Sequence, residues 1–211
     1  LAILKVAQMG HPVLRTIAEP VDAALIPTPE FQAFCEDMLE TMYEYDGRGL
    51  AAPQVYTSLR VVVATLDEEK GPEFLINPVI TPLTEDTMRT VEGCLSVTNL
   101  RAAVDRINKI KLEFLDRTGA AQAYELSGYP AVVAQHECDH LDGVIFVDRC
   151  DTFTLAFLDE FRRHGALDQW FAEQEEGEEG EGDEGPNDEQ GEASDEAPAP
   201  SAPETAEKPA S

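Results

Sequence analysis

The stretch Gln135-His136-Glu137-Cys138-Asp139-His140-Leu141 decides how this 211-residue chain is read. Two histidines stand four residues apart, with a glutamate directly after the first. On a helix, positions i and i+4 share one face. Both imidazoles can then hold one metal ion while Glu137 stays within reach of a water beside it. The chain has four histidines in all, and the fall of two of them here argues against a chance match. Pro130 fits a first helical turn and Gly143 marks an exit, so the spacing predicts a helix from about Tyr129 to Leu141. Two histidines are an incomplete set, because a catalytic metal usually has three protein ligands and one open position. No third histidine follows at metzincin spacing, and no helical glutamate follows as in gluzincins.

Working outward from that helix, the elements run in the order helix, several strands, helix, short helix. Thr28-Pro29-Glu30 is a helix start: a capping hydroxyl, a proline suited to the first turn, and an acid at the positive end. Phe31, Phe34, Met38 and Met42 then recur at helical spacing to about Tyr45, with a stop near Gly47 and Gly49. Cys35 lies beside this stripe and reads as core. The valine-rich run Leu59–Leu66 reads as a strand, as does Phe74–Ile80, with Asn77-Pro78 marking a bulge or edge. Residues 103–107 and 109–115 read as strands, and Ala121–Leu126 folds back as a hairpin after the turn Asp116-Arg117-Thr118-Gly119. Residues 1–24 read as loop or edge, Val144–Val147 as extended, and Phe153–Arg163 as a last short helix ending near Gly165. This order gives an α+β fold with a largely antiparallel sheet.

Charge is unevenly spread. The chain carries 42 acidic against 15 basic residues, a net charge of −27. Residues 173–211 hold fifteen of the acids and one base, Lys208, so −14 belongs there and −13 to the rest. A low-complexity acidic segment of this kind has the composition of disorder. We therefore expect a catalytic domain over residues 1–171 and a disordered acidic C-terminal tail over 172–211. A general nucleic-acid surface needs positive charge, so direct nucleic-acid specificity is not expected. No apolar run approaches a membrane span, and the opening residues do not read as a signal peptide. Four cysteines without dense disulfide spacing fit a reducing, cytoplasmic setting.

Two further segments bear on the incomplete metal set. Glu92-Gly93-Cys94-Leu95-Ser96 falls between expected strands, and its thiolate would suit a soft divalent ion. Spacing alone leaves Cys94 open between third ligand and buried thiol. Cys138 points partly off the two-histidine face, and Cys150 has no evident partner. Gly47-Arg48-Gly49-Leu50-Ala51-Ala52-Pro53-Gln54 lacks the context of a dinucleotide fingerprint and the Lys-Ser/Thr end of a phosphate loop. Its glycines would admit a ligand close to the backbone, and Gln54 could donate to a carbonyl. An ordinary helix exit and turn is an equally open reading.

Together, Gly47–Gln54 (GRGLAAPQ), Glu92–Ser96 (EGCLS) and Gln135–His140 (QHECDH) resemble the three signature motifs of the peptide deformylase family, in the family's order. The similarity spans about residues 3–165, including Gly10-His11-Pro12-Val13-Leu14-Arg15. The resemblance implies antiparallel sheets packed around a central HExxH helix. It implies a metal-dependent hydrolase that removes the formyl group from formyl-methionine of nascent polypeptides and releases formate. Carried over residue by residue, Cys94, His136 and His140 match the metal ligands, and Glu137 the general base and acid. Gln54 and the Leu95 N–H match the oxyanion donors. Gly49, Gly93 and Arg101 match the peptide-binding cleft, and Tyr129, Val132 and Val133 are placed to line the methionine pocket. Arg106 matches an arginine expected to pair with Glu92. The family implies Fe²⁺ as the divalent ion, with Zn²⁺, Ni²⁺ or Co²⁺ able to substitute. The expected partners are N-formylmethionyl peptides and nascent chains, with transient ribosome contact, and the expected state is a monomer.

Two positions depart from the pattern. The residue between Gly47 and Gly49 is usually aliphatic and here is Arg48, and the proline expected after EGCLS-x is Thr98. Both bear on the cleft wall, not the ligands. They motivate one competing reading, an amidohydrolase or peptidase acting on other N-acyl groups. A second competing reading is a non-catalytic relative that binds nascent chains or ribosomal proteins, using its acidic tail.

Overall fold

A computed structural model describes residues 2–164. The expected tail, the end of the last helix near Gly165 and the domain boundary at 171 lie outside the described residues. Helix α1, Pro29–Glu44, begins where the sequence placed it: Thr28 Oγ1 accepts from Phe31 N at 3.3 Å, with Pro29 in the first turn. Five strands form one antiparallel sheet in the order β1-β2-β3-β6-β7: β1 Gly49–Ala51, β2 Val61–Asp67, β3 Gly71–Pro82, β6 Lys109–Leu115 and β7 Ala121–Ser127. A second antiparallel sheet orders β4 Thr87–Cys94, β5 Val97–Ile107 and β8 Ala156–Phe157. Helix α2, Tyr129–Leu141, carries the histidine pair, and α3, Leu158–His164, ends the described chain.

The run Val61-Val62-Val63-Ala64 is apolar throughout because both faces of β2 are covered. Val61 and Val63 pack with Phe31, Cys35, Met38 and Met42 of α1. Val62 and Ala64 pack with Ala131, Ala134 and Leu141 of α2. Successive side chains of a strand point to opposite faces, so one strand serves two helices. Helix α2 is thus held against the centre of the five-stranded sheet. A third cluster joins Val97, Ala102 and Val104 of β5 to Leu14, Ile145 and Phe146. Cys35 is fully buried, as expected, and burial pushes its thiol up to about 11.

The bulge expected at Asn77-Pro78 is present: the β3/β6 register shifts between Ile76 and Val79, and Asn77 takes φ 52°. Three expectations need correction. Cys94, expected between strands, is the last residue of β4 and pairs with Val97 across a tight turn. The strand has no clear apolar pattern because Arg89, Glu92 and Gly93 interrupt it; the charges of Arg89 and Glu92 are matched by Asp105 and Arg106 of β5 instead. Val144–Val147 is not simply extended, since Phe146–Asp148 closes a 3₁₀ turn. The expected helix Phe153–Arg163 starts later. Residues 152–154 form a 3₁₀ turn and 156–157 pair with Leu100 and Arg101, because Thr154 Oγ1 accepts from Ala103 N at 2.8 Å and ties the segment to β5.

Candidate active site

Side chains from both sheets and from α2 meet in one cleft. His136 and His140, one turn apart on α2, stand with ring centroids 5.1 Å apart. The tight turn after β4 brings Cys94 Sγ to 3.2 Å from His140 Nε2. Ligand atoms of Cys94, His136 and His140 all lie within 4.8 Å of one another. His136 Nδ1 faces Glu92 Oε2 at 2.7 Å, which leaves Nε2 turned inward. A thiolate and two imidazoles suit a divalent transition ion, and an outer carboxylate on a ligating histidine is the usual support of such a site. The residues therefore fit one metal ion.

Glu137 is 5% exposed, and its Oε2 is buried with no hydrogen-bond partner among the described residues. Burial pushes its carboxyl up to about 7. Gln54 is 2% exposed. Its Oε1 accepts from Ala51 N at 2.8 Å, so the amide nitrogen is the group left to face the site. That nitrogen approaches Cys94 Sγ at 3.5 Å and Ser96 Oγ at 3.2 Å.

Behind His136 runs a chain of ionic contacts. Burial opposes ionisation of Glu92, but hydrogen bonds with Arg106 and His136 outweigh it and hold the carboxyl down at about 2. Arg106 donates to Glu92 at 2.7 and 2.9 Å and to Asp139 at 2.5 Å. Arg149 adds a two-point contact to Asp139 at 2.7 and 2.8 Å. The expected Glu92–Arg106 pairing is therefore present, and Asp139 joins it from the far side.

The two cleft glycines are set by close approach. A Cβ at Gly49 would overlap the Glu137 carboxylate, with Cδ at 2.6 Å and Cγ at 2.7 Å. A Cβ at Gly93 would run into the Arg101 guanidinium, which lies across it. The cavity, about 480 Å³, is lined by Gln54, Cys94, His136 and Glu137. Leu95, Gly49, Gly93, Arg101, Tyr129, Val132 and Val133 line it too. His140 sits deeper, at 1% exposure. The site residues carried over from the family motifs thus lie in or directly behind one cleft. Ser96, which the sequence marks only as the end of the Glu92–Ser96 motif, orients the Gln54 amide. Cys138 is buried away from the cleft, with its thiol pushed up to about 12 by burial.

Residues 3–155 match the family model described as polypeptide deformylase. The chain belongs to the polypeptide deformylase family. Peptide deformylase of Pseudomonas aeruginosa is 45% identical over 153 residues, which is 72% of this chain and 89% of the relative. That of Leptospira biflexa is 40% identical over 158 residues, 71% and 88% of the two chains. Among solved structures, a class I type b peptide deformylase from Acinetobacter baumannii superposes with TM-score 0.68 at 38% identity, covering 71% of this chain and all of the other. Another structure of the Acinetobacter baumannii protein, with Met-Ala-Ser bound, gives TM-score 0.67 at 35% identity, covering 71% of this chain and 100% of that one. Members of the family are metal-dependent hydrolases that remove the N-terminal formyl group from newly made polypeptides.

Proposed function

We propose that this cleft deformylates N-formylmethionyl peptides with Cys94, His136 and His140 as the ligands of one divalent ion. The observation that carries the assignment is the convergence of these three donors within 4.8 Å, beside a buried Glu137 and an oriented Gln54. When bound, the ion supplies Lewis acidity there, polarising the formyl carbonyl, acidifying a water and favouring the charged form of Glu137. Glu137 takes the proton of the attacking water and returns it to the leaving amine. The Gln54 amide and the Leu95 N–H donate to the formyl oxygen as negative charge grows on it. Strand β1 is the edge of its sheet, so the substrate backbone can be added as a further strand beside Gly49. Gly93 and Arg101 flank that backbone from the other sheet. Tyr129, Val132 and Val133 on α2 take the methionine side chain.

We further propose Fe²⁺ as the native ion, with Zn²⁺, Ni²⁺ or Co²⁺ able to replace it, since one thiolate and two imidazoles suit all four. Transient contact with the ribosome, a monomeric state and a cytoplasmic location complete the proposal. No helix of the described residues is long and apolar enough to cross a membrane.

The decisive experiment is formate release from formyl-Met-Ala-Ser by anaerobically purified protein, with the metal content measured in parallel. Acetyl-Met-Ala-Ser should be turned over far more slowly. Equal turnover of the two would replace this reading with that of a broader N-acyl hydrolase.

A further inference from the structure

We propose that Arg48 makes this cleft selective for peptides with an acidic side chain one or two residues after the formylmethionine. The inference rests on the deformylase reading above and names a substrate preference of that same site.

The direction of the peptide follows from burial. Gly49 backs onto the Glu137 carboxylate, so the reacting end lies beside it. Going on from Gly49, the chain turns inward: Leu50 and Ala51 are fully buried and Gln54 is 2% exposed. Going back, it turns outward, to an Arg48 side chain 56% exposed and then to the exposed Asp46. A peptide laid along the edge of β1 with its formyl end at Glu137 must therefore leave past Arg48. The Arg48 carbonyl accepts from Thr65 N at 2.9 Å, which fixes its backbone against β2. Gly47 and Gly49 on either side carry no side chain, so the Arg48 guanidinium is the group this segment offers to the exit.

Arg48 is lightly engaged. Its ion partner is Glu68, at 2.7 Å, and the Glu68 side chain is 78% exposed. An exposed pair of this kind contributes little and is readily exchanged for another carboxylate. The second arginine of the cavity, Arg101, stands on the opposing sheet and has no carboxylate partner among the described residues; it donates to the Leu100 carbonyl at 2.7 Å. Of the acids lining the cavity, Glu92 is committed to Arg106 and His136, and Glu137 belongs to the chemistry. Asp46 is the carboxylate left at the rim. In a chain of net charge −27, this cleft presents Arg101 without a carboxylate partner and Arg48 with an exchangeable one, Glu68, against Asp46 at the rim. Charges placed this way favour encounter with, and binding of, an acidic segment.

The test is kcat/KM on C-terminally amidated formyl-Met-X-Ser and formyl-Met-Ala-X, with X as Asp, Asn or Lys. The intact chain is used at low ionic strength, and the readout is the Asp-to-Lys ratio within each protein. Taking the ratio removes any general loss of activity in a variant. The wild-type ratio should be about fivefold, carried mainly in KM and shrinking with added salt. Arg48→Lys should keep the preference, Arg48→Glu should invert it, and Glu68→Gln should enlarge it by releasing the guanidinium. A wild-type ratio near one, or the same ratio in the wild type and Arg48→Glu, overturns the inference while leaving deformylation intact. Failure to release formate from any of the peptides, formyl-Met-Ala-Ser included, overturns the functional reading and this inference with it.

Discussion

Gly49 and Glu137 are packed so closely that the Cα of one leaves no room for a methyl group against the carboxylate of the other. The glycine comes from the edge strand β1 and the glutamate from α2, so this contact sets the distance between the strand that would hold the peptide and the group that moves the proton. Gly49→Ala should push Glu137 off its position. We expect kcat/KM for formyl-Met-Ala-Ser to fall by about two orders of magnitude, the scale of a displacement near 1 Å at a reacting group. Metal content and thermal midpoint should stay close to the wild type. Retention of full activity by Gly49→Ala would show that Glu137 has slack which the structure does not grant it.

Glu137→Gln keeps the shape of the side chain and removes its basicity. The expected loss is roughly 10²- to 10⁴-fold in kcat, the range of a general acid–base group, with bound metal unchanged. Formate release at the wild-type rate would sink the proposed role of Glu137.

Cys94→Ala should purify without its ion, because two imidazoles alone make a poor site. Removal of metal from the wild type with a chelator should abolish turnover, and re-addition of Fe²⁺ or Ni²⁺ should restore it. The chelated protein should also melt at a lower temperature. An ion held at a hundredfold above its dissociation constant stabilises the fold by about 3 kcal/mol. Full metal occupancy in Cys94→Ala would remove Cys94 from the ligand set.

The parts legible in the sequence were those with local causes. Thr28-Pro29 starts α1 and Pro130 sits in the first turn of α2, and both helices lie where those residues put them. The histidine pair needs nothing beyond helical spacing. Cys94 was different: spacing left it undecided, and only the motif as a whole pointed to it, because its approach to His140 depends on pairing between residues far apart in the chain. The same cause hid β4. Arg89 and Glu92 look like surface charges until the side chain of Arg106 on β5 reaches Glu92 from fourteen residues away. Residues 153–157 were assigned to helix because their apolar spacing allows it. The competing pull, from Ala103 and Thr154, is tertiary and leaves no periodic trace.

The buried Glu92–Arg106 pair also makes an acid-stability prediction. The ordinary value for glutamate is 4.5, and in the folded protein the hydrogen bonds with Arg106 and His136 hold Glu92 at about 2. A depressed folded pKa favours the folded state wherever the unfolded chain binds more protons. The contribution is therefore complete above about pH 4.5 and is lost as the pH falls through 2, with a span of roughly 3 kcal/mol. Glu92→Gln should lose that dependence. It should also be less stable near neutrality by about 3–5 kcal/mol, since Arg106 then keeps only Asp139. Metal affinity should drop about 10- to 100-fold as His136 loses its carboxylate. The measurement is the denaturation midpoint of both proteins, stripped of metal, from pH 6 to pH 2. Parallel acid profiles for the variant and the wild type would mean that Glu92 is not held ionised by Arg106, and the outer support proposed for His136 would go with it.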